Sequence, residues 1–427
     1  MSRPTPDALW YSALSIDDLH DDTVLDRSLV SGEGCHVTDA SGRRYLDARS
    51  GLWNTSLGYS NQRIIDAMSR QLTRLPTGQI IREKYPTRIA LDYASRLVDA
   101  LPAHFDHVRF CTTGAQAAEG AVLISRFVRK LNDEPDRTGV LAFHNGYHGT
   151  GGIASKLTGE PWQHRWQEPL APAVHHVDPW DLTALRKVVE QVGPEQLTAM
   201  IMEPVLGTDI LVAPDGFLAE AQWLCRDTGI HLIIDEVTTG FGRTGAIART
   251  EQLGLQPDML LLSKGITAGY APLAAIATTR NIVEQAASRP GVVCPHGSTS
   301  DGHPVSMAAG LAVLDELADG KIFDNVAARG DQLRDHLHAL ARQTGLIGDI
   351  RGPGLLIGAD LHDRNGQPLA PHAVQQLCRD CRDNGLILSS SNSTLVLVPP
   401  LVITSDECDQ LIDILSECLY RLDISGG

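Results

Sequence analysis

Six short apolar runs separated by stretches of helical spacing constrain this chain more than any other feature. They are HVRFCTT (107–113), GVLAFHN (139–145), TAMIMEPV (198–205), IHLIIDEV (230–237), DMLLLSKG (258–265) and APLAAIATT (271–279). Between several of them lie segments such as AQAAEGAVLISRFVRKL (115–131) and FLAEAQWLCRDTG (217–229), whose apolar residues recur at helical intervals. Strand–helix alternation of this length predicts an α/β fold, a largely parallel sheet with helices on both faces. At 427 residues the chain is too long for one ordinary core. The flanks differ in character. Residues 36–47 read as a small hairpin turning at Ser41-Gly42. From 305 onward two long helical patterns surround the strand candidates IRGPGLLIGADL (350–361) and STLVLVPPLVIT (393–404), a second α+β unit. Neither internal repeats nor low-complexity segments interrupt this pattern.

Bulk chemistry narrows the function. The chain is 43% hydrophobic and 21% charged, as ordinary globular enzymes are, with a formal net charge of −16. So acidic a surface repels phosphate backbones, so no nucleic-acid partner is expected. The opening MSRPTPDALWYSALSIDDLHDD has no apolar signal core, and no apolar run approaches the ~20 residues of a membrane helix. The expectation is therefore a cytoplasmic protein without membrane contact. Eight scattered cysteines suit a reducing compartment. Cys378-x-x-Cys381 lies in a helical pattern with no second cysteine pair or histidine pair to complete a metal site, so two helix cysteines and no metal are expected.

The segment HLIIDEVTTGFGRTG (231–245) admits three readings. As an apolar strand ending in Asp-Glu it resembles a magnesium-binding element of an ATPase, but the required GxxxxGK[ST] loop is missing. As Gly240-x-Gly242-x-x-Gly245 it matches a dinucleotide fingerprint, the basis of a rival nucleotide-dependent oxidoreductase. That fingerprint should follow its strand directly, whereas Asp235 to Thr239 intervene, and the candidate acidic residue Asp258 precedes its strand. In the third reading Asp235 meets the nitrogen of a pyridine ring. A second apolar strand ends at Lys264, and successive parallel strands end at the same edge, where ligands bind. A lysine pressed against the glycines and apolar residues of KGITAGYAPLAA can lose its proton and attack an aldehyde.

Together these segments resemble the class III, fold-type I aminotransferases dependent on pyridoxal 5'-phosphate (PLP), across nearly the whole chain. DEVTTGFGRTG, PDMLLLSKGITAGYAPLAA, HGSTSDGHPVSMAAG (296–310), DASGRRYLDARSGLWNTSLGY (39–59) and the late IRGPGLLIGADL and PPLVIT strands fit the family in order and spacing. The resemblance implies a large PLP-binding domain over 56–304, a small domain over 305–427, and a segment 1–55 that joins the small domain. It implies a Schiff base on Lys264, which then moves the proton between substrate and cofactor, and Asp235 keeping the ring nitrogen protonated. Val237 and Tyr147 are placed on the two ring faces. Gly114 and Ala115, in FCTTGAQAAEGAV, cradle the phosphate at a helix start. The segment containing Ser298 and Thr299 serves the phosphate of the neighbouring subunit, which implies a homodimer with shared sites.

This chain also departs from the family pattern. Ala115 replaces the usual Ser or Thr, with Thr113 a partial substitute. Thr238 stands where ornithine-type relatives carry Gln, and no Arg occurs from 383 to 401, where many of them grip an α-carboxylate. Both departures, and the Gly51-Leu52-Trp53 segment, resemble the ω-amine group, with Trp53 lining an apolar substrate pocket. Glu203, in MEPVLG, matches a position near the site but lacks the arginine it would pair with. The reading is an aminotransferase moving an amino group between a primary amine or ω-amino compound and a keto acid or aldehyde by a ping-pong mechanism. A decarboxylase or racemase of the same fold is the alternative.

Overall fold

A computed structural model describes residues 9, 24–82, 85–165, 167, 168 and 173–422. Its centre is a seven-stranded sheet whose strands lie in the order Phe105–Cys111, Ala274–Thr279, Met259–Leu262, His231–Asp235, Leu197–Met202, Gly139–Phe143, Val174–Val177. Ala274–Thr279 alone runs against the rest. The other four pairings, among them His231–Asp235 with Met259–Leu262, are parallel. Leu197–Met202, His231–Asp235 and Met259–Leu262 are buried along their whole length. This explains why they read as unbroken apolar runs rather than as alternating ones: helices cover both faces.

The helix Gly114–Leu131 packs on this sheet through Ala117, Ala118, Gly120 and Ala121, all buried. Small residues are needed there: a Cβ on Gly120 would stand 2.7 Å from the Ile276 side chain. Its first turn is set by Thr113, whose hydroxyl accepts from the Gln116 N–H at 3.2 Å. Pro304–Leu317 packs against the helices Gln62–Arg74 and Arg88–Ala100, where Gly310 lets the Tyr93 ring approach.

The flanking elements build two four-stranded sheets. In one, the hairpin His36–Asp39/Arg44–Asp47 turns through Gly42, φ 86°, as the sequence suggested. Leu386–Ile387, from far along the chain, adds to that hairpin in parallel. The other contains Ile347–Arg351, Ile357–Leu361, Thr394–Leu397 and Ser389–Ser391, so IRGPGLLIGADL is two antiparallel strands rather than one. The long helices Lys321–Thr344 and Ser405–Arg421 pack together there, the second closed by a reciprocal cap between Thr404 and Glu407. Cys378 and Cys381 lie on the helix Pro371–Asp383 as free thiols. Among the described residues no helix is long and apolar enough to cross a membrane.

Candidate active site

Asp235 and Leu261 are register partners on adjacent parallel strands, so the turns after both strands open on the same crevice. There Thr113, Gly114, Ala115, Tyr147, His148, Gly149, Asp235, Val237, Thr238 and Lys264 line a cavity of about 400 Å³. The two residues singled out first from the sequence are thus brought together by strand pairing alone. Gly114 and Ala115 join them from one other segment, Tyr147 from a second, and Val237 from just beyond Asp235. Ser298 and Thr299 do not line this cavity. Ser298 is tied instead to Asp301, through its hydroxyl at 2.7 Å and its N–H at 2.8 Å.

Strand alternation separates the acidic pair that looked like one motif. Asp235 faces the cavity, while Glu236 turns the other way. Glu236 accepts from the N–H groups of Arg249 (2.7 Å) and Thr250 (2.6 Å) and from the Thr239 hydroxyl (3.0 Å). It anchors the loop 237–250 and is not placed to hold a metal with Asp235. Gly240-x-Gly242-x-x-Gly245 belongs to that loop and opens no long helix; only the one-turn Arg249–Gln252 follows. Both nucleotide readings fail on geometry.

Asp235 has a partner that sequence reasoning missed. His148 Nδ1 lies 2.7 Å from Asp235 Oδ2, and the Val237 N–H donates to Oδ1 at 3.0 Å. Both side chains are almost wholly buried. Burial pulls the imidazole toward neutrality, but the hydrogen bond and charge of Asp235 outweigh it and raise the His148 pKa. The result is a buried hydrogen-bonded pair that fixes the Asp235 carboxyl group where it faces the cavity. The only available sequence signal was adjacency to Tyr147 in HNGYHG.

Lys264 sits at φ 44°, a left-handed conformation that costs a non-glycine residue of order 1 kcal/mol or more. Gly265 follows because the Phe241 side chain packs where a Cβ would be, 2.8 Å away. The Lys264 Nζ donates to Thr238 Oγ1 at 2.7 Å and stands 4.9 Å from the centre of the Trp53 ring. Burial lowers the amine to about 8, against the upward pull of the Glu203 and Asp235 carboxylates and with the help of the Arg243 charge. Glu203 is buried and accepts from the N–H groups of Tyr147 and Gly207, both at 3.0 Å. Burial raises its carboxyl, His148 pulls it down, and Asp235 adds to the rise. Arg351 reaches the strand near Thr394, but Asp360, Asp349 and the Asp209 carbonyl saturate it, so it is no carboxylate grip.

These groups fit PLP. The amides of Gly114 and Ala115 open an eighteen-residue helix, where first-turn N–H groups lack intrahelical partners and favour a phosphate. Gly149 lets the neighbouring loop close on that turn, since a Cβ there would lie 2.5 Å from the Ala115 side chain. An amine with a lowered pKa, a locked carboxylate and an anion cradle are the three attachments that PLP requires.

The model of the family "Aminotransferase class-III" matches residues 20–419, and the chain belongs to that family of PLP-dependent transferases of fold type I. It is an aminotransferase, and amino-group transfer replaces decarboxylation or racemisation as its reaction. A putrescine–pyruvate aminotransferase of Pseudomonas aeruginosa is 30% identical, covering 92% of this chain and 90% of that one. An acetylornithine aminotransferase of Corynebacterium efficiens is 34% identical, covering 92% and 93%. An (S)-enantioselective omega-transaminase structure from Thermomicrobium roseum superimposes with a TM-score of 0.91 at 32% identity, covering 97% of this chain and 96% of that one. Overall identity does not separate substrate groups, so the site must.

Proposed function

We propose that the chain transfers the amino group of a primary amine or ω-amino compound lacking a gripped α-carboxylate to a keto acid or aldehyde, through the cavity between Asp235 and Lys264. The supporting observation is the convergence of those two residues, from paired strand ends, on one cradle. When bound there, PLP supplies an electrophilic aldehyde and an electron sink. The protein's part is positional and electrostatic. Asp235, locked by His148, holds a negative charge toward the ring nitrogen. Thr238 orients the Lys264 amine, whose lowered pKa leaves Nζ free to accept and return a proton near neutral pH. Val237 and Tyr147 confine the ring from opposite sides. The helix start at Gly114–Ala115 holds the phosphate, with backbone donors standing in for the hydroxyl absent at Ala115.

The donor class follows from what surrounds Lys264. Glu203 makes no salt bridge among the described residues and accepts from backbone N–H groups, Arg351 is saturated, and Trp53 presents an aromatic face, a setting that suits an amine better than an α-carboxylate. We further assign a homodimer in which Thr299 of the partner subunit completes the phosphate site. Exposed Val292 and Val293, beside Ser298–Thr299, and exposed Leu52 supply apolar surface for that contact. The same reading divides the chain at 55 and 304, into a large domain bearing the cavity and a small one built from both flanks.

The test is direct. Purified protein is expected to be yellow, with borohydride fixing the cofactor on Lys264, as read by peptide mass. A panel of amines against pyruvate and 2-oxoglutarate should show amines without an α-carboxylate as donors. A colourless protein that PLP leaves unmodified, or turnover confined to α-amino acids, defeats the proposal.

A further inference from the structure

The loop that carries Trp53 is built under strain. Ser50 and Trp53 both adopt left-handed backbone, at φ 52° and 64°, although neither is glycine. Between them Gly51 is obligatory, at φ 66°, with the Thr55 hydroxyl 2.8 Å from where a Cβ would be. Such a segment keeps its shape only where its surroundings over-determine it. Asp47 supplies part of the restraint, accepting from the N–H groups of Arg49 (2.9 Å) and Gly51 (2.6 Å) and from the Tyr59 hydroxyl (2.7 Å). A further restraint reaches the loop from Arg243 through Ser50.

Arg243 is buried at 3% exposure and has no carboxylate partner among the described residues. Its Nη1 donates to the carbonyls of Pro399 (2.6 Å) and Leu355 (2.9 Å), and its Nη2 to Ser50 Oγ at 3.4 Å. Ser50 Oγ in turn donates to the Val398 carbonyl at 2.6 Å. The Arg243 carbonyl accepts from the Leu355 N–H at 3.1 Å. One side chain therefore fastens the 237–250 loop, which follows Asp235, to the hairpin turn before Ile357–Leu361, to the Pro399 segment and to the Ser50–Trp53 loop. A buried cation facing only neutral oxygens is costly. Only a planar fork of several donors reaches three acceptors from segments so distant in sequence.

We propose that Arg243 is a positioning residue for amine selection. Through Ser50 it holds the strained Ser50–Trp53 loop so that the Trp53 ring stands over the Lys264 amine and against Gly207 and Glu203. The contact geometry supports the last point: the Trp53 ring edge and Glu203 Oε2 both lie 3.3 Å from the Cβ position of Gly207, with Thr238 Oγ1 at 3.9 Å. The inference rests on the preceding reading in one respect, that the amine enters past Trp53.

A double-mutant cycle tests it, using Ser50→Ala, Trp53→Ala and the pair, with benzylamine or ethylamine as donor and pyruvate as acceptor. Ser50→Ala should raise KM for benzylamine by about five- to tenfold more than for ethylamine, and this difference should vanish in the Trp53→Ala background. Arg243→Lys, which keeps the charge but reaches fewer acceptors, should act in the same direction. Equal losses for both amines, or an effect that persists without Trp53, would mark a merely structural role and overturn the proposal. Independently of turnover, protein labelled with 5-fluorotryptophan should show the Trp53 resonance, identified by its loss in Trp53→Phe, shifted or broadened in both Ser50→Ala and Arg243→Lys. An unmoved resonance also overturns it. Wild-type protein that uses neither amine refutes the donor assignment instead, and the fluorine spectrum still decides the placement of Trp53.

Discussion

The floor of the cavity and its wall are built by different means. The floor consists of Asp235 and Lys264 at the ends of adjacent parallel strands, with Gly114–Ala115 at the start of a helix on the same sheet. Its geometry follows from strand pairing, and its two charged groups were readable from apolar runs that end in polar residues. The wall is Thr238, which lines the cavity, backed by Trp53 and Glu203 and by Arg243, Gly207 and the strained Ser50–Trp53 loop. It is assembled from segments far apart in the chain, with backbone conformations that local propensity disfavours. In the proposed reading cofactor chemistry is the floor's task and donor selection the wall's, so substitutions in the two regions should fail differently.

The largest effect is expected at the floor. Lys264→Ala should reduce turnover by at least about 10⁴-fold, the upper range for losing a positioned acid–base group. It should still retain PLP after dialysis through the cradle and Asp235, with borohydride no longer fixing it. Turnover near the wild-type level would remove Lys264 from the chemistry and erase the distinction between floor and wall. Next comes His148→Leu, which leaves the buried Asp235 carboxylate with only the Val237 N–H. Removing one partner of a buried ion pair typically costs ~3–5 kcal/mol. Calorimetry should show a clear fall in melting temperature for the cofactor-free protein, while His144→Gln, at an exposed neighbour, stays within ~0.5 kcal/mol of wild type. Equal melting of the two variants would mean that His148 does not hold Asp235.

The smallest effect links the two regions. Lys264 must be neutral to attack an aldehyde, and its pKa lies near 8 rather than at the ordinary lysine value. The rate at which PLP colours the cofactor-free protein should therefore rise with pH up to about 8 and level off above it. Glu203→Gln removes a carboxylate that favours the charged amine, so the plateau should begin at lower pH, by less than about one unit since no ion pair joins the two residues. A plateau that stays in place, or moves upward, would separate Glu203 electrostatically from the floor.

Legibility in the sequence tracks the same division. The buried strands announced themselves as apolar runs, and the hairpin through Gly42 by its turn residues. Val174–Val177, by contrast, is a short half-exposed edge strand, VHHV, whose two histidines conceal any pattern. His148 was invisible as a partner because strand register does not reveal which loop folds back onto Asp235. Arg243 lies within the DEVTTGFGRTG motif, yet its acceptors, Ser50, Leu355 and Pro399, come from three distant segments that no spacing links. Glu236 looked like the equal of Asp235 until alternation across the strand sent it to the opposite side.

What the sequence determined by itself was the sheet, the PLP-dependent class and the Asp235–Lys264 pair. Hydrophobic periodicity and strand-end chemistry are local properties, set within a few residues. The tertiary structure alone decided how Asp235 is held in place, which acid serves the loop instead, and what holds Trp53 over Lys264. Those outcomes depend on long-range hydrogen bonds to buried groups, whose partners are chosen by the packing of the whole chain rather than by neighbours in sequence.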